Sequence, residues 1–460
     1  MRTLITGGLV ITASDELAVD VLIEDEKVVA LGTGQGWTAD TVIDATGRYV
    51  IPGGVDGHTH MEMPFGGTVA ADNFETGTRA AAWGGTTTIV DFAIQSMGAT
   101  LREGLDAWHA KAEGNCAIDY GFHMILADVN EGSLKEMEGL VGEGVTSFKM
   151  FMAYPGVFYS NDGQILRALQ KGAETGGLIL MHAENGIAID VLIEQALARG
   201  ETDPRYHGIV RHELLEAEAT HRAIKLAQVA NAPVYIVHLS ATSALAEVAK
   251  ARDEGYNAFA ETCPQYLFLS TDDLARPDFE GAKYVCSTPL RPKEHQAALW
   301  RGLRTDDLSV VSTDHCPFCF KGQKELGLGD FSKIPNGLPS VEHRMDLLHT
   351  GVLEGHISRR RWVEIACATP ARMFGLYPRK GTIAPGSDAD IVIYNPNAKQ
   401  VFSAATHHMA VDYSCYEGKE ITGKVEKVLS RGRLVIDGDK YLGAAGHGQF
   451  LRRDTCGYLR

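Results

Sequence analysis

Eight short apolar runs, most of them followed by a helix-like amphipathic stretch, constrain the fold of this chain more than any other feature. They are RYVIPGGVDGH (48–58), TTTIVDFA (86–93), IDYGFHMIL (118–126), VTSFKMFM (145–152), GLILMHAEN (177–185), VYIVHLS (234–240), YNAFAETCP (256–264) and LSVVSTDH (308–315). Between them lie stretches such as RHELLEAEATHRAIKLAQVAN (211–231) and SALAEVAKARDEG (243–255). Alternating β and α patterns call for a parallel sheet. Eight such units call for a closed (β/α)8 barrel, which uses about 250 residues as one unit.

The ends of the chain read differently. TLITGGLVITA, AVDVLIEDEKVVALG and TVIDATGRYVIPG are short strands set off by turn residues, and the same texture returns in DADIVIYNP and KVEKVLSRGRLVIDGDKYL. Both ends are expected to build one small β domain, 1–50 plus 380–460, around a barrel domain of 51–379.

Composition narrows the function classes. The 460 residues are 45% hydrophobic and 22% charged, as in soluble globular enzymes. A net charge of −16 disfavours nucleic acid and anionic membrane as partners. No apolar run reaches the 18 or so residues of a membrane span, and the N-terminus lacks a signal-peptide pattern, so the expected location is the cytoplasm. Of eight cysteines only Cys316 and Cys319 form a C-x-x-C. A redox pair or half a zinc site would share that spacing, but no second C-x-x-C accompanies it, and reduced thiols are expected.

Chemistry enters with GVDGHTHMEMPFGGT (54–68). In an extended chain His58 and His60 share a face. Read alone, such a pair is more often two hydrogen-bonded loop histidines than a metal site. The other runs supply company. Lys149 ends the fourth, His182 the fifth, His238 the sixth and Asp314 the eighth. In a barrel the C-terminal strand ends ring one mouth, where active sites sit.

Four imidazoles and a carboxylate suit zinc, with manganese, cobalt or nickel as substitutes. Five such ligands exceed one catalytic zinc and fit two metals about 3.5–4 Å apart. A charged lysine beside two dications is untenable, but a buried neutral amine can add carbon dioxide to give a bridging carbamate. The competing reading pairs Lys149 with a neighbouring carboxylate. His123 and His221 read as packed or capped, His315 as facing away from Asp314, and His407 and His408 as solvated loop residues.

These strings resemble the cyclic amidohydrolases, and within them the hydantoinase/dihydropyrimidinase group. The marks are GHTHMEMPFGGT, GGTTTIVDF, SFKMFMAYPGVF, MHAEN, VHLS, CSTPLR, STDHCPF, PNGLPSVEHR and GTIAPGSDADIVIYNP, in family order over essentially the whole chain. The resemblance implies a β-sandwich from both termini, a homotetramer or at least a dimer, and two divalent metals. One metal would take His58, His60 and Asp314, the other His182 and His238, with carboxylated Lys149 bridging. Asp314 would shuttle the proton from the attacking water to the leaving ring nitrogen, and Tyr154 would steady the oxyanion.

The resemblance also places Ser287 and Asn336 against the cyclic imide through backbone atoms, although CSTP departs from the CSPP or GPP expected there. Met63, Phe65, Phe151 and Phe158 resemble the apolar lid that receives a 5-substituent. Glu62 occupies the place of the arginine that dihydroorotases use, and would repel a carboxylate-bearing ring. MEMPFGGT and KMFMAYPGVF look most like D-selective hydantoinases. The implied reaction is opening of 5-monosubstituted hydantoins to N-carbamoyl amino acids, or of dihydropyrimidines. The alternatives are an allantoinase and a non-catalytic dihydropyrimidinase-like assembly protein.

Overall fold

In the computed structural model, which describes residues 1–33 and 36–459, eight parallel strands form one sheet in chain order. They are β1 (Gly54–Thr59), β2 (Thr86–Ile94), β3 (Asp119–Ile125), β4 (Ser147–Phe151), β5 (Leu178–His182), β6 (Val234–Ile236), β7 (Ala258–Thr262) and β8 (Val310–Val311). Each coincides with one of the apolar runs, and every residue in them is buried. Strands covered on both faces lose their polar alternation, which is why the runs read as continuous. The sheet closes where Thr59 pairs with His315 and the Thr313 amide and hydroxyl donate to Asp56 at 3.2 and 2.6 Å.

Helices cover the outside. In Asp162–Thr175, Asn161 and Gln164 form a capping box, Ile165, Ala168, Leu169 and Gly172 face inward, and left-handed Gly176 ends the helix. The amphipathic stretch 211–231 is the helix Glu213–Ala230, ended by left-handed Asn231.

The first run splits in two. Tyr49–Pro52 pairs with Ile391–Tyr394 in a different sheet, and only Gly54–Thr59 enters the barrel. The crossing falls at Pro52-Gly53. Pro52 has no N–H to donate, and a Cβ on Gly53 would lie 2.1 Å from the Thr87 hydroxyl. Hydrophobicity continues through the junction because both sheets are buried there, so the pattern alone carries no break.

Both termini share one seven-stranded sheet, in which Leu9–Ile11 and Tyr49–Pro52 lie beside Ile391–Val401 and Glu420–Ser430. A four-stranded sheet from the N-terminal segment packs against it through Ile5, Val21, Ile23, Val50, Ile391 and Leu429. The fold is thus a TIM-type barrel with a small β-sandwich built from both termini. The last segment leaves the sandwich. Leu451 N donates to Tyr120 O at 2.7 Å, so the tail runs along the start of β3 beneath the barrel. Lys380, fully buried, joins Asp119 at that barrel floor (2.7 Å) to Asp390 (2.8 Å) and Asp388 (3.0 Å) of the sandwich. No helix among the described residues is long and apolar enough to cross a membrane.

Candidate metal centre

β1, β4 and β5 deliver His58, Lys149 and His182 directly, and His60 follows β1 by one residue. His238 and Asp314 lie two and three residues beyond the ends of β6 and β8, with left-handed backbones (φ +39° and +51°). A left-handed residue turns the chain off the ladder, which explains why these strands are shorter than their apolar runs. Such backbones in non-glycine residues are costly and cluster where function requires them.

The six side chains meet. His58 Nε2 and His60 Nε2 each lie 3.2 Å from Asp314 Oδ1. Lys149 Nζ is 3.2 Å from His58 Nε2, and His182 Nδ1 is 2.9 Å from His238 Nε2. Ligand atoms of His58, His238 and Asp314 fall within 4.8 Å of one another, a group able to hold a metal. All six residues are buried.

Two further carboxylates aim this cluster. Glu261 on β7 hydrogen-bonds His58 Nδ1, accepts from Tyr235 Oη at 2.9 Å and from the His238 amide at 3.2 Å. Glu184 takes His182 Nε2 at 2.7 Å and Arg211 Nη1 at 2.8 Å. Each carboxylate occupies one ring nitrogen and leaves the other facing the centre, the usual device for orienting a metal-binding imidazole. A signal existed: Glu184 follows His182 by two residues, and Glu261 is the one charge in an otherwise apolar seventh run.

The electrostatics suit a cation. Burial lowers His60 to about 4 and, despite Glu184, also lowers His182. Burial would raise Asp314, but His58 and His60 hold it well below the carboxylate range. Burial brings Lys149 down to about 8. No carboxylate among the described residues lies within ion-pair distance of Lys149, whose ammonium instead faces the rings of Phe92 (4.7 Å) and Phe151 (5.0 Å). The buried Nδ1 atoms of His60 and His238 have no hydrogen-bond partner among the described residues. Converging imidazole nitrogens beside a carboxylate, with an unpaired buried lysine, fit divalent metals of the zinc type.

A cleft opens over this cluster. Tyr154, Ser287 and Asn336 line it, and so do Met63, Phe65, Phe151 and Phe158, so every residue expected at the substrate is brought there. Asn336 Nδ2 donates to Ser287 Oγ at 3.0 Å, and both side chains work against the effect of burial on the Tyr154 hydroxyl. Burial pushes Tyr154 up to about 12, so it stays a donor, and the Arg211 guanidinium lies 5.6 Å from its ring centre. Phe151 stacks on Phe158 at 5.0 Å, and Phe65 meets Tyr154 edge-on at 5.3 Å. Phe65 sits on a small hairpin in which Pro64–Phe65 pairs with Thr68–Val69. Cys316 and Gly337 also line the cleft, and sequence reading missed both.

Glu62 lies outside that lining, half-buried, with its carbonyl accepting from Lys111 Nζ, so the expected repulsion finds no contact there. His123 is buried between Ser147 and the Gly57 carbonyl, and His315 pairs with Asp72 at 3.0 Å, away from the cluster. His221 pairs with Glu247 at the surface. His407 and His408 are not simply solvated. His407 bonds the Tyr413 carbonyl, while His408 binds Glu342 and stacks on Trp83 at 3.9 Å, because the loop folds back onto the barrel. No disulfide joins any of the cysteines among the described residues.

A buried histidine, aspartate and lysine cluster at the C-terminal mouth of a parallel barrel is the arrangement of metal-assisted hydrolases. Residues 49–435 match the amidohydrolase family. The chain is 77% identical to a D-hydantoinase of Streptomyces coelicolor, covering all of this chain and 99% of that protein. It is 48% identical to a D-hydantoinase of Geobacillus stearothermophilus, covering all of this chain and 98% of the relative. Its fold superposes on a dihydropyrimidinase of Brevibacillus agri with a TM-score of 0.98 at 50% identity, covering 99% of each chain. The chain belongs to the amidohydrolase family, in its hydantoinase/dihydropyrimidinase group.

Proposed function

We propose that this protein is a metal-dependent cyclic amidase that opens 5-monosubstituted hydantoins, with D selectivity, and dihydropyrimidines. One observation carries the reading. Five of the six cluster residues line a cleft together with polar Tyr154, Ser287 and Asn336 and four apolar side chains. That pairing fits a flat ring with adjacent N–H and C=O groups and one apolar substituent. The D-hydantoinase relatives support the selectivity.

His58, His60 and Asp314 would hold one divalent ion and His182 and His238 the other, most simply zinc, with manganese, cobalt or nickel as substitutes. Bound there, the two ions would supply Lewis acidity and a hydroxide at neutral pH. Burial lowers the pKa of Lys149 to about 8, which favours its neutral amine. That amine can add carbon dioxide with loss of a proton, and the resulting carbamate turns a cation into a two-oxygen bridge.

Asp314, held ionised, accepts the proton of the attacking water and passes it to the leaving ring nitrogen. Tyr154 donates its hydroxyl hydrogen to the developing oxyanion. Backbone groups at Ser287 and Asn336 hold the ring, and Met63, Phe65, Phe151 and Phe158 receive the 5-substituent.

Residues 1–50 with 380–460, apart from the tail that lies beneath the barrel, act as the small domain and 51–379 as the hydrolase domain, supported by strands from both termini sharing one sheet. A homotetramer in the cytoplasm completes the reading. Exposed Ile187, Val191, Ile209 and Leu214 on consecutive helices support assembly, and the lack of disulfides among the described cysteines supports a reducing location.

The test is stereo-resolved initial rates on racemic 5-benzylhydantoin, with dihydrouracil and allantoin in parallel, after reconstitution with zinc or manganese. Faster formation of the N-carbamoyl-D-amino acid is expected. Faster opening of allantoin would replace the proposed substrate, and no opening of any ring with metal bound would overturn the substrate class.

A further inference from the structure

The substrate loops come from distant parts of the chain, 285–288 and 335–337, and neither belongs to a barrel strand. One buried side chain joins them. Lys324, fully buried in the motif FKGQKELGLGD, donates from Nζ to the carbonyls of Val285 (2.9 Å), Pro335 (2.7 Å) and Gly337 (2.9 Å). An ammonium has three N–H groups, and three carbonyls use them all. The Gly337 amide adds a direct bond to Val285 O at 3.0 Å.

The acceptors bracket the two residues at the ring. Val285 precedes Ser287 by two positions, and Pro335 and Gly337 flank Asn336. The clamp also reaches the segment after β8 that carries Asp314. Gly337 (φ +150°) packs so close to it that a Cβ would lie 2.1 Å from Cys316 O. No ion pair with a carboxylate accompanies Lys324 among the described residues, so its contacts are with these loops and with the ring of Phe318, 5.9 Å away. A cation costs much to bury, and placing it at this junction makes sense if the junction must hold one geometry.

We infer that Lys324 is a positioning residue for substrate binding: it holds the two loops at the separation that lets both face the ring imide. The inference rests on the reading of the cleft as a cyclic-imide site. Lys324 does not line the cleft, and its ammonium bonds only the loop carbonyls among the described residues. Its loss therefore weakens ring binding in ground and transition state alike, which raises KM and leaves kcat nearly unchanged.

The test uses the metal-reconstituted Lys324→Met, with Lys324→Gln as a milder variant that keeps two N–H donors should the first fail to fold. Amide hydrogen exchange across 285–288 and 335–338 is expected to speed up while the barrel strands stay protected. KM for 5-benzylhydantoin is expected to rise about 10- to 100-fold, with kcat altered less than about threefold. The rise should match for 5-methylhydantoin, since the clamp acts on the ring and not on the 5-substituent, and metal content should equal that of the parent.

Unchanged exchange in the loops would overturn the clamp. Faster exchange with KM within about twofold of the parent would overturn the binding role and leave Lys324 structural. If the parent opens no hydantoin while exchange still rises in the variant, the hydantoin reading fails and the clamp stands.

Discussion

Lys149 decides the character of the site, because it is the one cation among ligands that favour cations. Unpaired with any carboxylate and lowered to about 8 by burial, it is poised to leave its charged form. Lys149→Ala should lose two-metal activity by about a thousandfold or more, with partial rescue by a short carboxylic acid able to bridge in its place. Metal analysis alongside initial rates reads both, and full activity in the variant would exclude the carbamate. Glu184 works at one remove, fixing which nitrogen His182 presents. Glu184→Gln should weaken metal affinity about 10- to 100-fold, measured by chelator competition, with the fold intact by circular dichroism.

Among the elements, the barrel strands hold the ligands and the small hairpin 64–69 covers the cleft. Phe65 lines the cleft and packs edge-on against Tyr154, the residue proposed to steady the oxyanion. Phe65→Ala should lower the kcat/KM ratio of 5-benzyl- over 5-methylhydantoin by about tenfold, the scale of losing part of an apolar pocket. An equal loss for both substrates would place Phe65 outside substituent recognition. The strands themselves were legible because burial on both faces produces unbroken apolar runs. The split at Pro52-Gly53 was not, because the neighbouring sheets are equally apolar on either side of it.

Across the whole molecule, the barrel and sandwich meet at Lys380 and its three carboxylates. Burial opposes ionisation of Asp388, but Lys380, Lys27 and Arg379 hold it at about 2. A depressed carboxylate contributes stability that is fully present above its ordinary range and lost as pH falls from about 4 to about 2. Lys380 is raised by Asp390, Asp119 and Asp388, so its own contribution is lost only at strongly alkaline pH. Metal-free protein should therefore lose thermal stability below about pH 4. Lys380→Met should be about 3–5 kcal/mol less stable at pH 7, because it strands buried carboxylates, and should gain stability on acidification as they take up protons. Parallel melting curves of both proteins that fall together from pH 7 to pH 2 would exclude the bridge.

Read alone, the sequence determined the parts that local chemistry writes directly: eight buried strands, the β-rich ends, and six side chains at matching strand ends. Periodicity and residue type are properties of a few neighbouring positions, and they survive without knowledge of the fold. The tertiary structure alone decided which distant groups serve them. Glu261 and Glu184 orient imidazoles, Arg211 backs Tyr154, and Lys324 ties loops whose acceptor carbonyls lie 39, 11 and 13 residues away. Those contacts depend on distances through space that separation along the chain does not encode. A backbone carbonyl, moreover, bears no residue name by which a sequence could announce it.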